Sequence, residues 1–304
     1  VLGHQVIAAK RQGSNASTSF TIDANASDLK GGDSKASDSK AGWNGVDTVI
    51  HLAGKSIADA RWTPEVKEAL RSSRVEPTRR LCERPSTFVC ASAIGIYGDR
   101  GDEKLDESSP PDDGFLAEIG KQWEAACQPA RDAGIRVVNL RLGIILSPKG
   151  GALAKMLMPG KLGLGGPMGS GKQWMSWVAM DDVLGAIYHA IATPSVKGPM
   201  NVVSPKPCTN AEFAKVLGKA LGRPAFVSAP SFALRLALGE MADALLLAST
   251  RVEPQTLLSS GYRFRFDDLE ESLRYLLGRT GRRVSRGAES LGKRDSKSQA
   301  GGEK

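Results

Sequence analysis

Histidine and cysteine are scarce: 304 residues hold three of the first and four of the second. His4, His51 and His189 share no spacing, so a Ser–His–Asp triad or a histidine-rich metal site has no basis in the sequence. Cys82, Cys90, Cys127 and Cys208 form no C-x-x-C pair and have no histidine at zinc spacing. That argues against a zinc site or a disulfide framework and leaves reduced structural thiols in a reducing compartment. No window approaches eighteen uninterrupted apolar residues, so no membrane span or membrane partner is expected. The opening "VLGHQVIAAKR" lacks the basic flank and long apolar run of a secretory signal.

The net charge of +8 would suit a nucleic-acid partner, but its distribution argues against one. Eight basic and three acidic residues follow from Arg279 onward, so the tail carries +5 of the total. Residues 279–304 have almost no large apolar side chains and are expected to be a solvated, disordered basic tail. No nucleic acid is expected.

Along the chain, "HQVIAAKR" reads as a buried strand ending in two basic residues. Residues 12–42, rich in Ser, Ala, Asp, Gly and Lys, show no periodicity and read as a flexible insertion. "VDTVIHLAG", "STFVCASA", "IRVVNLRLGIIL" and "GPMNVVSP" are strands by length and β-branched content. Between them lie helical stretches. One opens at Thr63-Pro64, one ends at Gly134, and one is capped by Asp181 or Asp182. Another begins with the capping box Thr209…Glu212 and stops at Gly222. Strands alternating with helices of this length predict an α/β fold, a doubly wound parallel sheet of Rossmann type. Residues 1–222 form that domain, and 223–278 form a small, mostly helical C-terminal cap. Ligands of such sheets sit at the carboxyl ends of the strands.

Gly166–Lys172, "GPMGSGK", matches seven positions of the phosphate loop G-x-x-x-x-G-K-[ST]. Such a loop needs a strand before it, a helix after it and a hydroxyl after the lysine. Here a glycine-broken stretch precedes it and Gln173 follows the lysine, so the run reads as a flexible loop beside a cleft.

"VIHLAGKSI…RWTPEVKEALRSSRV", "SAIGIYGD", "GFLAEIGKQWEAA", "RLGIIL…GGALAKMLMPGKLGLGGPMGSGKQWMSWVAMDDV", "TNAEFAKVLGKALGRP" and "GEMADALLLASTRVEPQTLLSSGYRF" come in one order over about 46–278. Together they resemble the epimerase family of atypical, extended short-chain dehydrogenase/reductases. The resemblance implies NADP-dependent oxidoreductase or epimerase activity on a small polar or nucleotide-sugar-like substrate, with a homodimer compatible with it. It departs from the family in three places. The pyrophosphate turn G-G-x-G-x-[IV]-G has no counterpart, and an N-terminal truncation is expected. The segment between Arg80 and Phe88 is short, and 12–42 is unusual. A plastid or mitochondrial address therefore stays open beside the cytoplasm.

A basic residue at the end of the second strand of this fold accommodates a 2′-phosphate, so Lys10 and Arg11 point to NADP. The alternative is two solvated charges. The resemblance implies cofactor contacts at Leu52, Ala53, Gly54, Arg74 and Ile145; for Arg74 a surface ion pair is the competing reading. The superfamily's Ser, Tyr and Lys imply Ser92 and Lys121, but the tyrosine position holds Ala117. Tyr97 is the nearest phenol, either a substitute acid/base or a packed aromatic. Arg141 could meet an acidic substrate or pair with a carboxylate, and Trp174 and Trp177 could line a pocket or the core. A dinucleotide-binding regulator without catalysis, and a fragment that binds nothing, are the competing readings.

Overall fold

A computed structural model describes residues 8–12, 19–23, 46–82 and 85–279. Strands β1 (Ala8–Gln12) and β2 (Ser19–Asp23) pair antiparallel as a separate ribbon. The 12–42 stretch thus includes a strand, carried by the aromatic and β-branched run Phe20-Thr21-Ile22. Lys10 and Arg11 lie within β1 and not beyond its end.

Next come β3 (Thr48–His51), α1 (Pro64–Leu81), β4 (Thr87–Ala93), a 3-10 turn at Ile94–Tyr97, and β5 (Lys104–Leu105). Helices α2 (Phe115–Ala125) and α3 (Gln128–Asp132) lead into β6 (Arg136–Leu142) and β7 (Ile144–Leu146). Then follow α4 (Gly151–Lys161), β8 (Trp174–Met175), β9 (Trp177–Ala179), α5 (Met180–Ala192) and β10 (Gly198–Val202). The chain continues through β11 (Cys208–Thr209), α6 (Asn210–Leu221), α7 (Ser231–Leu238), a π-helical turn at Ala242–Leu247, β12 (Arg251–Val252), α8 (Gln255–Ser259) and α9 (Leu269–Leu276).

Strands β10, β6, β4 and β3 lie in that order, all parallel. Alternation along β4 explains how the sheet is covered on both faces. Val89 joins Val138, Leu140 and Met200 against Val183, Ala186 and Ile187 of α5. Its neighbours Phe88 and Cys90 face Leu81 of α1 and Trp123, Cys127 and Ala130 of α2–α3. A strand apolar on both sides is what a doubly covered parallel sheet requires.

Local signals set several helix ends. Thr63 caps α1, its hydroxyl accepting from the Val66 amide, with Pro64 in the first turn. The Thr209–Glu212 capping box forms on α6, and Gly222 ends it in the left-handed region at φ 66°. Two expectations need correction. Asp181 and Asp182 lie inside the first turn of α5, whose cap position is Ala179 with no side-chain bond. Asp182 instead faces the C-terminal region, accepting from the Arg265 and Phe266 amides and from the Tyr262 hydroxyl. The run 135–146 is two strands, broken at Gly143. A Cβ there would stand 2.5 Å from the Ser176 carbonyl oxygen, so only glycine allows the crossing.

The C-terminal region is mostly helical and is fastened to the sheet domain. Leu269 and Leu273 of α9 pack with Phe213 and Leu217 of α6, and β12 runs parallel to β5. Met241 joins Trp62, Leu70 and Ile119.

Candidate functional site

At the carboxyl end of β3 the chain turns out to solvent. Leu52 is 53% exposed, and Ala53, Gly54 and Lys55 are exposed with it. Arg74 of α1 braces this turn from below. Its guanidinium donates to the Lys55 carbonyl (2.9 Å) and to the Leu70 carbonyl (2.9 Å) and lies over the Trp123 ring. A Cβ on Gly54 would come within 3.2 Å of that guanidinium carbon. Burial lowers the Arg74 pKa from its usual range. Arg74 therefore supports the shelf with hydrogen bonds to backbone, and no carboxylate partner is among its bonds.

Behind the ends of β4, β6 and β10 sits a buried polar chain. Ser92 Oγ donates to Glu124 Oε1 (2.7 Å). Arg141 holds Glu124 through two bonds, Nε to Oε1 (2.8 Å) and a terminal nitrogen to Oε2 (2.9 Å). Its other terminal nitrogen donates to the Tyr97 hydroxyl (2.8 Å), which donates on to Asn201 Oδ1 (2.8 Å). The Asn201 amide and the Thr256 amide both donate to Glu107 Oε1. The side chains of Arg141 and Glu124 are only 9% and 14% exposed. Burial pulls the Arg141 pKa down, but the hydrogen bonds and charge of Glu124 outweigh it and the net shift is upward. Burial raises the Tyr97 pKa, partly offset by Arg141.

Of the proposed catalytic residues, Ser92 and Tyr97 thus share one network through Glu124 and Arg141, and both are buried. Tyr97 has no exposed surface, and its oxygen already has a donor and an acceptor. The packed reading of Tyr97 describes its surroundings. Lys121 is elsewhere, paired with Glu118 (3.1 Å) and Asp113 (3.6 Å), and the Glu118 hydrogen bond raises its pKa. Ala117 is buried. Ile145 lies opposite Val178 of β9 in a separate two-stranded parallel pair. Arg141 pairs with a carboxylate, and Trp177 is core. Trp174 donates to Asp102, with Arg251 over its ring. The side chains of Lys10 and Arg11 and the tail from 280 lie outside the described residues.

Glu124, Glu107 and Asn201 had not been singled out from the sequence. Glu124 left a signal. It falls seven residues after Ala117 and four after Gly120, so an acid stands on the buried stripe of α2. The glycine run 165–171 opens no helix. Gly169 and Gly171 take positive φ (58° and 69°), and Gly166 lies against the Val227 backbone, so the loop packs on the C-terminal region. Among the described residues no group of three or more His, Cys, Asp or Glu could hold a metal ion.

The exposed turn at 52–54 carries two small residues, Ala53 and Gly54, beside the large Leu52.

Comparison with known proteins agrees with this architecture. A family model described as NAD dependent epimerase/dehydratase family matches residues 2–203, and one described as a domain of unknown function (DUF1731) matches 229–276. An epimerase family protein of Mycobacterium bovis is 42% identical over 241 residues, covering 78% of this chain and 80% of that one. A chloroplastic epimerase family homologue of Arabidopsis thaliana is 36% identical, covering 77% and 69%. The crystal structure of a human epimerase family protein with NADPH superposes at TM-score 0.73 with 34% identity, covering 77% of this chain and 82% of that one.

Proposed function

The chain belongs to the NAD dependent epimerase/dehydratase family, and from that premise we propose that it binds NADP along the carboxyl edge of its parallel sheet. We propose further that it acts as an oxidoreductase or epimerase on a small polar or nucleotide-sugar-like substrate. The observation that carries the binding reading is the exposed turn Leu52–Gly54 at the end of β3, backed by Arg74. In this reading the dinucleotide lies across that turn and past Ile145 in the middle of β7. Lys10 and Arg11 meet the 2′-phosphate. Bound there, the cofactor would accept or supply a hydride. The chain's own part is to place it. Small residues at 53 and 54 let the backbone come close, and the buried Glu124–Arg141 pair keeps Ser92 oriented at the end of β4. The relative solved with NADPH supports the choice of NADP, and the chloroplastic relative supports an organellar setting.

The test is a fluorescence titration with NADPH and NADH. Saturable binding with NADPH preferred is expected, and replacing Lys10 and Arg11 by Glu should erase the preference. Absence of saturable binding by either cofactor would overturn the reading.

A second reading, a dinucleotide-binding regulator without catalysis, is favoured by one constellation. The tyrosine position is a buried alanine, Tyr97 is sealed with its pKa raised, and Lys121 is engaged by Glu118 and Asp113. General acid/base work needs a proton donor that can reach the reacting group at a matched pKa. Turnover of NADPH with a panel of carbonyl substrates decides between the two. Activity that persists in Tyr97→Phe would assign the proton transfer to another group, and no activity at all would favour the regulator.

A further inference from the structure

Two helix faces are apolar and uncovered among the described residues. On α4, Met158 is 72% exposed, and Leu162, just past its end, is 69% exposed. On α7, Phe232 is 72% exposed and Leu236 79%. Contiguous apolar surface of more than a few hundred Å² marks a ligand groove or a docking face.

Both faces run to the loop that follows the turn at 52–54. Lys155, Met158 and Leu162 are spaced by three and four residues and form one stripe of α4. Lys155 Nζ, at the base of that stripe, donates to the Ala58 carbonyl (2.9 Å), so the stripe is turned toward this loop. Phe232 and Leu236 share a stripe of α7, which ends at Gly239. An ideal Cβ on Gly239 would stand 3.0 Å from Arg61 Nε. Ala58 and Arg61 follow Gly54 by only four and seven residues. The loop that carries them is fixed by Trp62, whose indole donates to the Ile57 carbonyl (2.9 Å).

At their other ends the two helices are linked by 163–169 and 224–229, which run side by side. Gly163 lies by Pro224, Gly166 lies against Val227, and Met168 bridges to Ala229. Leu164 and Phe226 are exposed on those segments. The exposure of all six side chains shows that the two faces do not close on each other.

Charge is confined to the base. The loop carries Lys55 and Arg61 against one acid, Asp59, and Lys155 reaches it from α4. The acids just beyond α7 are taken up within the chain, Glu240 by Lys67 and Asp243 by Arg235. The six apolar side chains offer no oxygen or nitrogen atom. Sugar hydroxyls laid against them would lose water and gain no hydrogen bond, which costs free energy.

We propose that the trough between these faces holds the body of the substrate, and that the substrate is amphipathic. Its apolar chain or ring system is about 10 Å long, the span of the α4 stripe at about 1.5 Å per residue. Its polar or anionic, oxygen-bearing end lies at the cationic base, beside the turn at 52–54. The proposal rests on the cofactor reading of that turn, and it sets an apolar body in place of the nucleotide-sugar-like one.

The test is a fluorescence titration of the full chain with anilinonaphthalene sulfonate, an anion with an apolar aromatic body. Displacement by decanoate and by UDP-glucose follows. Saturable binding that decanoate displaces and UDP-glucose does not is expected. Met158→Asp/Leu236→Asp should bind the probe at least about tenfold more weakly. Both side chains are mostly exposed, so the variant should keep the parent's melting temperature. It should also bind NADPH within about a factor of two of the parent. Displacement by UDP-glucose and not by decanoate would overturn the proposal, as would a variant that binds the probe as tightly as the parent. A parent that binds the probe as expected but no NADPH would remove the cofactor reading and leave the apolar trough. Probe binding lost as protein concentration rises would give the faces to a second copy of the chain. Co-sedimentation with phosphatidylserine/phosphatidylcholine vesicles, lost in the variant and unaccompanied by decanoate displacement, would give them to a lipid surface. Either result would overturn the proposal.

Discussion

His51 ends β3, 3% exposed, with no hydrogen-bond partner for Nε2 among the described residues and the ring stacked on Phe88 at 6.3 Å. Burial lowers its pKa from 6.5 to about 4. The folded protein therefore resists the proton that the unfolded chain accepts. Stability from this group is complete above the unfolded pKa and is lost as pH falls from about 6.5 toward about 4. A full shift of that size corresponds to about 3 kcal/mol, and roughly 2 kcal/mol should be gone by about pH 5. His51→Phe keeps a flat ring beside Phe88 and removes the titration. Urea unfolding of both proteins at about pH 7.5 and about pH 5 measures the difference. The stability gap between variant and parent should move by about 2 kcal/mol in the variant's favour at the lower pH. Equal pH slopes for the two proteins would refute the reasoning, because they would mean that His51 is protonated equally easily in both states.

Other perturbations follow from the same contacts. Glu124→Gln leaves the Arg141 guanidinium buried without its countercharge, and a loss of about 3–5 kcal/mol is expected in urea unfolding. Pairing it with Arg141→Met should recover part of that loss, which a double-mutant cycle measures directly. Asp182→Ala removes the acceptor for two backbone amides and the Tyr262 hydroxyl. A cost of about 3 kcal/mol and faster proteolysis near 262–266 are expected. Thr209→Ala removes the α6 cap and should cost about 1 kcal/mol, with Thr209→Asn nearly neutral in thermal melts. Gly143→Ala should destabilise by at least about 1–3 kcal/mol, because its Cβ meets a carbonyl oxygen that belongs to backbone.

Much of the architecture was legible because its causes are local. Pro64 after Thr63, the Thr209–Glu212 box and Gly222 each act within one helical turn, and all appear where the residues place them. Alternating strands and helices identify the parallel sheet for the same reason, since a strand apolar on both faces must be covered twice. Asp182 was misread because a carboxylate near a helix start is ordinarily a local cap. Here its bonds go to residues some eighty positions later. The break at Gly143 was hidden for a similar reason, as the clash that forbids a side chain comes from Ser176.

The sequence by itself determined the family and the alternation of long strands with helices, which depend on near neighbours or on motif order. The tertiary structure alone decided what the candidate residues do to each other. It put Ser92 on Glu124, tied Arg141 to both Glu124 and Tyr97, and left Lys121 with surface acids. Such pairings depend on which elements cross in space. A pKa follows the burial and charge found there, and neither is written in the spacing of residues along the chain.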